Sequence, residues 1–106
     1  MDLVHGVYRV SAGFPSEETY GLRSQIRRAS VSVPSNIAEG HTRSSTKEHL
    51  NHLSMAQASL AEVETQLEIA IRLEYVPPEK ANVLLPAIQQ LGKQLYALRN
   101  SLEARK

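Results

Sequence analysis

The sequence predicts an all-α domain: an up-down-up-down four-helix bundle with a short first helix and a proline-kinked second helix. Apolar residues recur at spacings of three and four through four separate stretches, the period of a helix face. The later connections are only a few residues long, which forces neighbouring helices to run antiparallel. Leu, Ala, Ile and Val carry the apolar share, with four Tyr, one Phe and no Trp, a mixture that suits helix-on-helix packing better than a sheet. Residues 1–106 make one domain, because a chain of this length buries roughly 60–68% of its extended surface around a single core.

The first helix is predicted over residues 2–12, where Leu3, Val7, Val10 and Phe14 share one face and Gly13 and Pro15 close it. So short a helix cannot hold itself without packing. Ser16, Glu17 and Glu18 offer a capping hydroxyl and two carboxylates, so the second helix is expected to start there and run to about Glu39. Its stripe is Leu22, Ile26, Ala29, Val33 and Ile37. Pro34 lies in that stripe and is expected to bend the helix at a cost of ~3 kcal/mol unless packing compensates. Gly40 fits a left-handed stop position.

Ser45-Thr46-Lys47-Glu48 reads as a capping box opening a third helix over about 46–74, with Leu50, Leu53, Gln57, Leu60, Val63 or Glu64, Leu67 and Ile71 on its seam. Pro77-Pro78-Glu79 reads as a turn into a proline-started fourth helix. That helix carries Ala81, Leu84, Ile88, Leu91, Leu95, Leu98 and Leu102 on a strict seam, with Pro86 off it. Leu73, Tyr75, Val83, Leu85 and Tyr96 lie off the principal seams, which predicts an apolar surface and self-association.

Composition narrows the chemistry. There is no Cys, so disulfides, thiolate metal sites and Cys nucleophiles are excluded. No basic leader or long apolar run appears, so a cytoplasmic protein without membrane contact is expected. Net charge is +1 but unevenly spread: residues 20–47 carry five basic side chains against one acidic, and residues 48–79 one basic against six acidic. Helices of alternating sign neutralise one another when packed antiparallel.

Gln25–Gly40 and its flanks are the most distinctive part of the chain. The string GLRSQIRRASVSVPSNIAEGHTR, continued by SSTKEHLNHLSMAQASLAEVETQLEIAIRLEYV, resembles the bacterial four-helix-bundle family encoded in intervening sequences of 23S ribosomal RNA genes, over roughly residues 7–76. The family resemblance extends to accessory variability proteins of diversity-generating retroelements, which form five-subunit barrels and bind nucleic acid and a reverse transcriptase. It therefore implies a homopentamer and a nucleic-acid partner. Members of the family usually carry about one extra turn before the residues matching Asp2 and Leu3, so this chain is expected to begin inside the first helix.

No catalytic or metal constellation emerges. His49, His52 and Glu48 lack the Glu-x-x-His spacing of a bundle metal site. Ser30, Ser32 and Ser35 lack a base, an elbow or a glycine-rich cradle. Asn36 and Glu39 are expected to satisfy backbone groups or meet the third helix. The candidate site is the basic cluster Arg23, Arg27, Arg28, Arg43 and Lys47, positioned to contact phosphates. Counting level positions across the second hairpin sets Arg23 opposite Glu64 and Glu39 opposite Glu48, and leaves Arg27 and Arg28 with no level acid. The expected protein is a non-enzymatic oligomeric binding or scaffold protein, with no cofactor, contacting RNA or DNA through this patch. A protein-binding adaptor is the alternative.

Overall fold

Ser45 opens the longest helix as its sequence promises: its Oγ accepts the Glu48 N–H at 3.1 Å, satisfying one of the first-turn donors that a helix leaves unpaired. The computed structural model describes residues 2–104. Within them run α1 (Asp2–Ser11), α2 (Leu22–His41), α3 (Thr46–Arg72) and α4 (Pro78–Glu103), with a single 3₁₀ turn at Ser16–Glu18. Each helix packs on its two neighbours and none across the diagonal, so α1 sits between α2 and α4. The bundle measures 46 × 24 × 19 Å. Ile26, Val33, Leu53, Val63, Leu67 and Ile88 are fully buried at its centre, with Val7 reaching in from α1.

The second helix starts later than the sequence suggests. Ser16–Glu18 is a separate turn, and α2 begins at Leu22 with no side-chain cap from its N-cap residue, Gly21. The Glu18 carboxylate caps it instead, one oxygen accepting the Leu22 N–H at 3.0 Å. Gly21 makes room for this, since a Cβ there would lie 2.8 Å from that same oxygen. The other Glu18 oxygen accepts the Tyr75 hydroxyl at 3.1 Å. This hydrogen bond holds the Tyr75 phenol above its ordinary pKa of 10.0, and the ring packs on Phe14 at 5.7 Å. One carboxylate thus ties the first connection to the turn between α3 and α4.

α2 continues as helix through Pro34 and on past Gly40 to His41. Gly40 is not a left-handed stop, as no glycine has positive φ. It is a point of close approach: a Cβ there would lie 2.8 Å from the His52 Cβ and 3.1 Å from the His49 ring. Beside the proline, a polar ladder joins α2 to α3. The Ser32 and Ser59 hydroxyls lie 2.9 Å apart, and Asn36 Nδ2 donates to the Ser32 carbonyl at 2.9 Å. His52 Nδ1 faces Asn36 Oδ1 at 3.2 Å and Glu39 Oε2 at 3.4 Å. Asn36 and Glu39 therefore do meet the third helix, Glu39 through His52 instead of lying against Glu48.

Two seams differ from the pattern. On α3 the buried set takes Ala56, Gln66 and Ala70, with Gln57 and Ile71 only partly covered. Two of the three are alanines, small enough for neighbouring helices to pack closely there. On α4, Leu95 is 3% exposed but Leu98 is 41% exposed. The ten residues of α1 span about 15 Å, and Asp2 shares a groove with Ala87; farther along α4, Leu91 is half-buried and Leu98 open.

The end of α3 is a Schellman motif with an unusual residue in it. The Tyr75 N–H bonds to the Ala70 carbonyl at 2.9 Å and the Glu74 N–H to the Ile71 carbonyl at 3.0 Å, which takes up the last orphan carbonyls. The motif needs a left-handed residue, and Glu74 supplies it at φ 63°, a conformation costing an L side chain roughly 1 kcal/mol. Glu74→Gly is therefore expected to stabilise the fold by about 0.5–1 kcal/mol, read as a higher urea midpoint at unchanged slope. A lower midpoint would show that the Glu74 side chain contributes more than its backbone costs.

Candidate nucleic-acid interface

The five cations of the candidate cluster divide by place: Arg23, Arg27 and Arg28 stand on α2, Arg43 in the connection after it and Lys47 in the first turn of α3. Arg23 and Arg27 face α1. The last turn of a helix leaves carbonyls without partners and carries partial negative charge, so a guanidinium is the complementary group there. Arg23 donates through Nε to the Ser11 carbonyl at 2.9 Å, through Nη1 to the Thr19 hydroxyl at 3.1 Å, and through Nη2 to the Phe14 carbonyl. It closes the end of α1 and does not pair with Glu64, which lies near Gln89 of α4 at 3.5 Å instead. The level count set α2 only against α3 and missed that Arg23 turns toward the other neighbour.

Arg27 does similar work one turn later. Its Nε donates to Ser11 Oγ at 2.7 Å and its Nη2 to the Tyr8 carbonyl at 3.2 Å. Its Cζ stands 4.5 Å from the centroid of the Tyr8 ring, within the range of a cation–π contact. No acid neutralises it. Arg28, the next residue, points to solvent, and among the described residues neither Arg28 nor Lys47 has an ion-pair partner. Arg43 lies 4.0 Å from Glu39, an exposed pair one turn apart and so worth little. Arg43 stands just past the C-terminal end of α2, roughly 22 Å from Arg28 at 1.5 Å per residue, and Lys47 in the first turn of α3.

The structure adds two residues to this surface. Arg9 and Tyr8 of α1 line a groove with Val4, His5, Ala12, Arg27 and Val31, and no acidic side chain borders it. The groove between α1 and α2 therefore presents Arg9 and Arg27 without a bordering carboxylate, and Arg28 stands exposed outside its lining. Among the described residues no three His, Asp or Glu side chains come together in a metal-binding group, and no helix is long and apolar enough to cross a membrane.

This helix layout and the RRASVSVPSNIAEG segment have counterparts in known proteins. A family model described as 23S rRNA-intervening sequence protein matches residues 1–97. The chain belongs to that family. A member of the S23 ribosomal protein family from Bacteroides thetaiotaomicron, a protein with unknown function solved by crystallography, shares the fold with a TM-score of 0.79. It is 24% identical, and the alignment covers 91% of this chain and 87% of that one. No curated protein matches the chain. The matched residues include the Pro34 segment.

The division of the arginines has a measurable consequence. Arg23→Ala removes three hydrogen bonds from a charged donor and is expected to destabilise the fold by about 1–3 kcal/mol, whereas Arg28→Ala is expected to stay within about 0.5 kcal/mol. Parallel urea unfolding of the two variants checks this; equal losses would contradict the division.

Proposed function

We propose that this family member is a non-enzymatic, self-associating helical-bundle protein that contacts RNA or DNA through its α1–α2 face. The observation that carries the reading is the cationic row Arg9 and Arg27, in a groove with no acidic lining. Arg27 is held in place by α1, and Arg28 is exposed without an ion-pair partner. Phosphates are the natural complement of such a row, since each neutralised phosphate releases condensed counterions. Arg43, in the connection after α2, and Lys47, in the first turn of α3, add basic charge at the far end of the hairpin; Arg23 is excluded from the surface by its bonds to α1.

Self-association rests on exposed apolar residues of α3 and α4. Val83 is 74% and Tyr96 61% exposed, and Met55, Ile69 and Leu73 are also open on α3 and its end. These lie among the acidic residues of α3 and the basic residues of α4, so unlike surfaces are available for head-to-tail contact, and such contacts close into rings. The family resemblance supports a ring of five, which would repeat the cationic face five times and raise its avidity for a long polyanion. The same exposed apolar residues favour a second reading, an adaptor that binds another protein and no nucleic acid.

Light scattering is expected to give close to five times the 11.8 kDa chain mass. Fluorescence anisotropy with unrelated oligonucleotides is expected to show affinity falling steeply with salt, and Arg28→Glu to weaken every sequence alike while leaving the mass unchanged. A monomeric mass would refute the assembly; absence of salt-dependent binding by the intact assembly would favour the adaptor.

A further inference from the structure

We infer that the Tyr8 ring, fixed by Arg27, is a stacking platform for an unpaired nucleobase, so that the α1–α2 face takes single-stranded nucleic acid in preference to a duplex. The inference rests on the proposed nucleic-acid role and specifies which form of the polymer is bound and how. The α2 segment with its arginines contains no aromatic residue, and phosphate contacts alone do not distinguish single strands from duplexes. Folding supplies the missing ring from α1.

Three features make the ring suited to this task. It is 42% exposed although its neighbours Val7 and Ser11 on α1 are fully buried, so it offers a broad apolar surface to solvent. It is immobilised before any ligand arrives: the Arg27 guanidinium lies over it at 4.5 Å and is itself tied to Ser11 Oγ and the Tyr8 carbonyl. Binding therefore orders no loose side chain here, which removes one of the usual entropic costs of association. It also stands in the groove of Val4, His5, Ala12, Arg9 and Val31, with guanidinium groups to hold the phosphates on either side of a stacked base. Paired bases are hidden in a duplex, whereas an unpaired base stacks on aromatic rings and guanidinium planes.

The test uses the full chain in its native assembly and fluorescein-labelled oligoadenylates of about twelve nucleotides, one ribo and one deoxy, with abasic and duplex strands of equal length. Wild type and Tyr8→Phe are expected to bind both oligoadenylates alike, and Tyr8→Leu to bind them about 5- to 150-fold more weakly. The abasic strand is expected to bind wild type and Tyr8→Leu equally weakly, and the duplex to be indifferent to the substitution. A folded Tyr8→Leu protein that binds oligoadenylate like wild type overturns the platform and leaves the charge reading standing if Arg28→Glu still weakens binding. Wild type that binds no strand overturns both. Should Tyr8→Leu fail to fold, wild type decides alone: abasic and oligoadenylate strands bound equally would overturn the platform.

Discussion

The fold depends on how a ten-residue helix is held in place. α1 is too short to be stable alone, because nucleation is costly and few hydrogen bonds follow it. Leu3, Val7 and Val10 bury its inner face, but burial does not fix where the helix ends or how it turns. Arg23 and Arg27 do that, reaching from the first two turns of α2 to the carbonyls and hydroxyl at the C-terminal end of α1. The charge suits the negative end of the α1 dipole, and the bonds add further donors to the Ser11 and Tyr8 carbonyls, which also accept the Phe14 and Ala12 N–H groups. Glu18 secures the same end from below, binding the start of α2 with one oxygen and Tyr75 with the other.

That arrangement also shapes the surface. Because Arg27 is drawn toward α1, it meets Tyr8 and leaves Arg28 facing solvent without an acid. The cationic groove thus originates in the anchoring of a single helix.

Much of this was legible from the residues alone. Period and turn chemistry placed four helices, and the capping box at Ser45 located the start of α3 to the residue. The boundary at α2 was not legible, because Ser16 and Glu17 have the composition of a helix start while Glu18 and Gly21 carry out the capping. Composition does not reveal which carboxylate folds back. Gly40 misled for a related reason: a glycine needed for close helix approach reads the same as one needed for positive φ. The partners of Arg23 and Arg27 were legible in principle. Counting outward equally from Glu17 and Glu18 sets Tyr8 level with Arg27, just as a count across the second hairpin sets Arg23 level with Glu64. A count within one hairpin cannot choose between two neighbours of the same helix, and α2 has two.

The account turns on the claim that side chains of α2, more than the helix propensity of α1, keep α1 folded. Amide hydrogen exchange measured helix by helix on wild type and on the Arg23→Ala, Arg27→Ala double variant tests it most directly. The account predicts that α1 amides lose protection in the variant by orders of magnitude more than those at the centre of α3. Protection of α1 that stays in step with α3, whether both are retained or both are lost together, would contradict it.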